Sequence, residues 1–357
     1  MLKKLIALTT GVLCLLSTAP GAMAEQANGQ SPVTQKSQLK KVAPARANNA
    51  SLDKRERLVK KVVVEHGKRK VIYQRVAHVP TMPAVPAVLS AGDLAGLNLT
   101  HDPLALASNV ALVLDQSNSQ VLFEKNANIA LPIASITKLM TGLIVVEAQQ
   151  DLNEMLEITD EDVDREKYSS SRLRVGAKMS RENMLHIALM SSENRAASAL
   201  GRHYPGGKQA FVMAMNAKAQ ALSMHDTFYV DSTGLSRRNI ASARDLARLV
   251  IAAYEQPLLR QYSTDTKYIV KAGGRPMQYA NSNNLISNPS WEIGLQKTGY
   301  ISEAGRCMVI QTKIDGRPLV MVFLDSKGKL SRTADASRIR KWLENTSARL
   351  SVGPRST

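Results

Sequence analysis

Cysteine is nearly absent: the 357 residues contain only Cys14 and Cys307. Cys14 lies in an apolar N-terminal run, so a chain cut after that run keeps one thiol and has no internal disulfide available to it. Stability then rests on core packing, and Cys307, in an apolar stretch, reads as a buried core residue. The six histidines are scattered singly. No spacing sets two of them on one helical face, which leaves no support for a zinc site, and no cofactor is implied. Aromatic residues number 15, and none interleaves with a basic run. The base-stacking surface of a nucleic-acid binder is therefore missing, and no nucleic-acid partner is expected. The apolar run from Leu5 to Leu16 is about a dozen residues, short of the roughly 20 that span a bilayer.

Positive charge is what the chain has in excess, with 47 Lys and Arg against 30 Asp and Glu and a formal charge of +17. Its location matters more than its size. Residues 25–80 account for +9 and Lys3 and Lys4 for +2, so the last 277 residues carry only +6. Lys3 and Lys4, the apolar run and the closing Ala22-Met23-Ala24 form the pattern of a secretory signal over 1–24, cleaved near Ala24. Leu13 ahead of Cys14 argues against lipid attachment. The expected location is the periplasm, either soluble or peripherally bound. Residues 25–93 read as a basic, largely disordered leader and linker. Residues 25–50 lack periodic apolar positions, a short hairpin is compatible with Val62-Val63-Val64 and Val71-Ile72-Tyr73, and Pro80, Pro83 and Pro86 make a stiff connector. This leader either tethers the protein to anionic envelope polymers or only solubilises it, and the second reading is slightly favoured.

From about residue 94 to 346 the composition is that of a globular domain, with 347–357 left as a C-terminal tail. Alternating runs from Asn109 to Leu114 and Gln120 to Glu124 predict a hairpin. Helices are expected from Ser135 to Ala148, over 180–200 and 206–223, and from Ser242 to Ala253, where Ser242 supplies a capping start. Strands follow at 292–299, 306–313 and 317–324, the last two joined by Asp315-Gly316, with a final helix from about Ala334 to Asn345. Strands at both ends and helices between predict an α+β fold: an antiparallel sheet of about five strands, built from both chain ends, with a helical cluster packed on it in an α/β/α-like arrangement.

A serine three residues ahead of a lysine on a helix puts the hydroxyl and the amine on one face, within proton-transfer reach. Ser135 and Lys138 have this spacing. So do Ser37/Lys40, Ser51/Lys54 and Ser326/Lys329, and context separates them. Two lie in the basic leader and one in a Gly-containing turn. Only Ser135 opens a long apolar helix, whose unpaired amides favour developing negative charge. Read alone, the pair is a helix cap and a solvated lysine. Two further fragments change the weighing: Ser192-Glu193-Asn194, at the end of a helical run, and Lys297-Thr298-Gly299, at the end of a strand. A serine peptidase needs an acid for its leaving group and donors for its oxyanion as well as a nucleophile. The Ser-x-Asn triplet is weak by itself, since Ser282-Asn283-Asn284 also matches, whereas Lys-Thr-Gly occurs once.

Ser-x-x-Lys, Ser-x-Asn and Lys-Thr-Gly in this order resemble the serine penicillin-binding proteins and β-lactamases. The fuller strings are similar to the low-molecular-mass penicillin-binding proteins of the D-alanyl-D-alanine peptidase family: Pro132-Ile-Ala-Ser-Ile-Thr-Lys-Leu-Met-Thr141, Met190-Ser-Ser-Glu-Asn-Arg-Ala-Ala197 and Lys297-Thr-Gly-Tyr-Ile-Ser-Glu-Ala-Gly305. They most resemble the penicillin-binding protein 7 type, murein D-alanyl-D-alanine endopeptidases, over roughly residues 95–345. The resemblance implies a DD-peptidase/β-lactamase-like fold and an acyl-enzyme on Ser135, with Lys138 as its base. Ser192 and Lys297 would relay a proton to the departing amine, and Asn194 would orient Lys138 and the substrate amide. The N–H groups of Ser135 and Tyr300 would bind the oxyanion, Thr298 would hold a substrate carboxylate or carbonyl, and Gly299 would let the substrate backbone approach. Arg332 is expected to help bind a terminal carboxylate, with Arg338 as the alternative register. The implied partners are peptidoglycan peptide stems and, as covalent inhibitors, β-lactam antibiotics.

Three rivals stand beside this reading. A β-lactamase of the fast-hydrolysing kind would carry a glutamate-positioned water, and no acid between Asn194 and Lys297 stands in the Glu-x-x-x-Asn pattern that resembles it. A carboxypeptidase performs the same chemistry, but such relatives commonly carry a second β-rich domain and a terminal amphipathic anchor. Here 58 residues follow Gly299, enough for two strands and a helix. A non-catalytic wall-binding protein would have no need of three intact motifs.

Overall fold

A computed structural model describes residues 56–65, 68–77 and 89–351 of the chain. The expected signal at 1–24, the disorder of 25–50, the Pro80–Pro86 connector and residues 352–357 lie outside the described residues. In the basic segment, Glu56–Glu65 pairs antiparallel with Lys68–Ala77, setting Val62 opposite Val71 and Lys61 opposite Ile72. The ribbon is longer than the two Val-rich runs that suggested it, because residues on both sides continue the strand pattern.

The second unit is built on a five-stranded antiparallel sheet of β1 (Ser108–Asp115), β2 (Val121–Lys125), β3 (Glu292–Ile301), β4 (Gly305–Ile314) and β5 (Arg317–Ser326), in the order β3-β4-β5-β1-β2. Pairing of β5 with β1 joins the two ends of the chain. Every residue of β1 is buried, because the strand is flanked on both sides and covered on both faces. That explains why its sequence is a near-continuous apolar run. Alternation then divides its side chains: Val110, Leu112 and Leu114 enter the large helical core, while Ala111 and Val113 enter a smaller core on the opposite face. The β4–β5 turn places Asp315 at φ +51° and Gly316 at φ +76°, the two left-handed residues of a type I′ hairpin.

The helices are α1 (Thr137–Glu147), α2 (Arg181–Met190), α3 (Asn194–Arg202), α4 (Gly207–Ala221), α5 (Ala243–Tyr254), α6 (Pro257–Thr264) and α7 (Ser331–Ser351). Of these, α7 covers the smaller core, where Trp342 meets Phe123 edge-on at 6.0 Å. Ser242 caps α5 by accepting from the Asp245 N–H. The single helix expected over 180–200 is two helices. Ser192 turns left-handed at φ +67°, and the Glu193 carboxylate caps α3 through the Arg195 N–H. Ser-Glu-Asn is thus the joint between two helices rather than the end of one.

Helix α6 and an antiparallel hairpin, Lys267–Ala272 with Arg275–Ala280, were not expected. The last helix outruns Ala334–Asn345 at both ends, since the first strong breakers after it are Gly353 and Pro354. At the other end the fold is engaged by Ser90, whose hydroxyl donates to Asp325 Oδ2 at 2.7 Å, and the Ala91 N–H donates to Glu303 O at 2.9 Å. Cys307 is fully buried, and burial pushes its thiol up to about 12. Among the described residues no helix is long and apolar enough to cross a membrane.

Candidate active site

Ser135 sits in a 3₁₀ turn, Ala134–Ile136, one step ahead of α1 rather than as its first residue. Ala134 before it is held at φ +48°, a left-handed conformation that costs a non-glycine residue about 1 kcal/mol and persists only where neighbours impose it. Two neighbours do. The Thr137 hydroxyl donates to Ala134 O at 2.8 Å, and Gly234 packs so closely that an added Cβ would lie 1.9 Å from the same oxygen. Helix α1 then runs through the protein with every residue from Thr137 to Val145 buried, which fixes the direction of the turn.

One turn along, Lys138 is 1% exposed. Its Nζ stands 2.9 Å from Ser135 Oγ, 2.7 Å from Asn194 Oδ1 and 2.6 Å from Thr233 O. Asn194 is oriented in turn, because its Nδ2 donates to Ser169 Oγ at 2.9 Å, which leaves only the carbonyl oxygen to face the amine. Burial lowers the Lys138 ammonium from 10.5 to about 7, against the opposing pull of Asp231 and Glu193. Both carboxylates are occupied by the frame: Glu193 Oε1 accepts from the Ser171 hydroxyl and the Arg195 N–H.

Asp231, Thr233, Gly234 and Asn239 went unrecognised in the sequence as parts of this site. One oxygen of Asp231 accepts from the N–H groups of Thr233 and Gly234 at 2.6 Å each, and the other from Ser236 N–H at 3.1 Å. Asn239 Nδ2 donates to Thr137 Oγ1 and to Asp231 O. The result is a tight loop that presents the Thr233 carbonyl to Lys138. The available signal was Asp231-Ser-Thr-Gly, an aspartate followed by residues that favour Asx turns, ending on a left-handed glycine at φ +80°.

The third fragment lies on β3, the edge strand of the sheet. Gly299 abuts the Ser135 turn: a Cβ there would lie 2.9 Å from both Ile133 O and Ser135 N. Only a residue without a side chain lets the strand come this near. Tyr300 follows it on the strand, more than half exposed, with the Arg306 guanidinium 4.6 Å from its ring centroid. Thr298 is buried and its Oγ1 lies 2.7 Å from Ser282 Oγ. The spurious-looking Ser282-Asn283-Asn284 match therefore also touches the site. Lys297 is fully buried with Nζ donating to Thr298 O at 2.9 Å, and burial first, then Lys138 and Arg332, hold its ammonium well below the usual lysine range. Arg332, near the start of α7, donates to Gly299 O at 3.2 Å. Arg338 is elsewhere, half-exposed and paired with the buried Asp335, whose carboxylate also accepts from the Ala107 and Ser108 N–H groups.

Lys138 therefore touches both Ser135 and Asn194 directly, while Lys297, Thr298, Gly299 and Tyr300 form the adjoining strand wall, which Arg332 reaches from α7. Ser192 joins them less directly. Its hydroxyl makes no hydrogen bond among the described residues, and it lines a cavity of about 400 Å³ together with Asn194, Arg172 and Tyr279. Among the described residues no group of His, Cys, Asp and Glu side chains is placed to hold a metal ion.

The chain is similar to known proteins. The family described as Peptidase S11, D-alanyl-D-alanine carboxypeptidase, matches residues 98–328. A D-alanyl-D-alanine endopeptidase of Pseudomonas aeruginosa is 48% identical over 252 residues, covering 70% of this chain and 80% of that one. The D-alanyl-D-alanine endopeptidase of Escherichia coli is 41% identical over 266 residues, covering 74% and 86%. Among solved structures, the Streptomyces K15 DD-transpeptidase superposes with a TM-score of 0.63 at 25% identity, over 68% of this chain and 98% of that one.

Proposed function

This chain belongs to the D-alanyl-D-alanine carboxypeptidase family of serine peptidases, and from that premise we propose that it hydrolyses D-alanyl cross-links in peptidoglycan as an endopeptidase, through an acyl-enzyme on Ser135. The observation that carries the proposal is the set of three contacts on Lys138 Nζ. A neutral amine has two hydrogens and one lone pair. Asn194 Oδ1 and the Thr233 carbonyl are acceptors and take the two hydrogens. The lone pair then points at Ser135 Oγ, 2.9 Å away, and the serine O–H donates to it as the hydroxyl attacks the D-alanine carbonyl. Burial without a paired carboxylate supplies the low ammonium pKa that this role requires.

The amides of Ser135 and Tyr300, on two backbones that Gly299 lets nearly touch, are suited to hold the tetrahedral oxyanion. Ser192 and Lys297 pass a proton to the departing amine, and Thr298 with Arg332 receives a substrate carboxylate or carbonyl. The same groove admits β-lactams, which acylate Ser135. The signal pattern at 1–24 supports a periplasmic location, and the basic ribbon is suited to contact anionic envelope polymers.

The endopeptidase assignment is tested with cross-linked muropeptide dimers and with free pentapeptide. Conversion of dimers to monomers, lost in Ser135→Ala, is the expected result. Release of D-alanine from pentapeptide with dimers left intact means a carboxypeptidase. Wall binding by Ser135→Ala as good as the parent's, with no cleavage by either protein, means a binding protein.

A further inference from the structure

Asn194 is held from a loop that has few other supports. Between Asp164 and Ser171 the chain forms no helix or strand and buries no apolar side chain, so polar contacts set its position. Asp164 shapes it from within, accepting from the N–H groups of Glu166 and Lys167 at 2.9 Å each and of Ser169 at 2.8 Å. Two side chains fasten it to the joint between α2 and α3. Ser169 Oγ accepts from Asn194 Nδ2 at 2.9 Å, and the Ser171 hydroxyl donates to Glu193 Oε1 at 2.7 Å. Another contact leads to the opposite wall: Lys167 pairs with Glu303, in the turn between β3 and β4, and the two side chains are only 24% and 27% exposed.

The Glu303 end is itself fixed. Its Oε2 accepts from the Ser302 hydroxyl at 2.8 Å, and its backbone carbonyl accepts from the Ala91 N–H. Tyr168 lies between the two fastened residues of the loop, at φ +53° and 83% exposed. A left-handed backbone is unfavourable for tyrosine, and exposure gives nothing in return, so the strain persists because Lys167 and Ser169 are both tied. Releasing Lys167 lets Tyr168 relax, and the relaxation withdraws Ser169 from Asn194. An Asn194 amide without that partner is free to turn Nδ2 toward Lys138. Two donors then meet, and an Nζ hydrogen loses its acceptor.

We propose that Lys167 and Glu303 are a positioning pair for acylation: their ion pair ties the 164–171 loop to the β3–β4 turn and, through Ser169, keeps the Asn194 carbonyl on Lys138. This rests on the acyl-enzyme reading and adds to it two residues that act through others.

The test is the rate of penicillin acylation as a function of penicillin concentration. K167M and E303Q are each expected to lower the limiting rate about three- to fivefold, the upper end for one partly exposed ion pair, with the half-saturating concentration unchanged. K167R, which keeps the pair, retains the wild-type rate. The double variant K167M/E303Q is no slower than either single variant, and K167M has no further effect in an S169A background, because all three changes break one link. Wild-type rates in both single variants, additive losses in K167M/E303Q, or a loss in K167M/S169A beyond that of S169A alone overturn the positioning pair.

If wild type takes up no penicillin at all, the acyl-enzyme reading fails by itself. The pair is then judged by hydrogen exchange across residues 164–171, which K167M and E303Q are each expected to speed. Exchange as slow as in wild type overturns the pair in that case too.

Discussion

Replacing Lys138 with methionine is expected to slow acylation of Ser135 by penicillin by about a thousandfold or more, the range for removing a positioned base from a weak nucleophile. The pH dependence gives the prediction its sign. Because burial brings the ammonium down to about 7, wild-type Lys138 is neutral and basic above that value. The acylation rate should rise through pH 7 and level off, a limb absent from Lys138→Met. The same shift links to stability. The folded protein holds the proton less tightly than the unfolded chain, so between about 7 and the free value of 10.5 the unfolded state binds more protons. Wild-type stability should therefore increase with pH across that window. Denaturation of both proteins at pH 6 and pH 9 tests this: the methionine variant should gain less on raising the pH. An unchanged acylation rate in Lys138→Met, or a flat wild-type profile from pH 6 to 9, would contradict the assignment of the base.

The other large effect is expected at a position that carries no reactive group. In Gly234→Ala the new methyl must occupy a point 1.9 Å from Ala134 O, and the backbone at φ +80° disfavours any side chain. Overpacking and left-handed strain together should cost about 3 kcal/mol or more. Relief is available only by moving the Ala134 carbonyl or the 231–236 loop. Either movement displaces a partner of the nucleophile: Ala134 precedes Ser135, and Thr233 O holds Lys138. Penicillin labelling should fall with the melting temperature. Gly316→Ala is the control, being left-handed at φ +76° with nothing within 4 Å of the added Cβ, and should cost about 1 kcal/mol with full labelling. Equal melting temperatures for the two variants would mean that the Gly234 contact does not hold the turn.

What was legible in the sequence follows from what each feature depends on. The five-stranded sheet was readable because its strands are apolar runs bounded by turn residues, down to Asp315-Gly316. The proposed reacting residues were readable as three short strings whose residue types are set by chemistry. The loop from Asp231 to Asn239 has no apolar period. It is held by an aspartate bonding to its own backbone and by an asparagine reaching back to Thr137, and such local bonds leave only a composition trace. The break at Ser192 was hidden because apolar spacing continues through both α2 and α3, while the backbone reverses locally at one left-handed serine. The hairpin from Lys267 to Ala280 was missed for a related reason. Burial alternates along both strands, with Val270 and Tyr279 buried, but the exposed Ile269 stands between Tyr268 and Val270 and turns the alternation into a plain apolar run, although Gly273-Gly274 stood at the turn. Of the two candidate arginines, only the fold could choose: Arg332 reaches Gly299 and Arg338 pairs with Asp335.

The central claim is that Ser135 is the atom donor that forms the acyl-enzyme and that the site releases it slowly. Mass spectrometry of the intact protein and of its peptides after penicillin treatment tests this most directly. One adduct of the mass of the intact drug is predicted, confined to the peptide containing Ser135, persisting long after free penicillin is removed and missing from Lys138→Met treated for the same short time. An adduct on another peptide, or penicillin hydrolysed rapidly with none retained on the protein, would contradict the account.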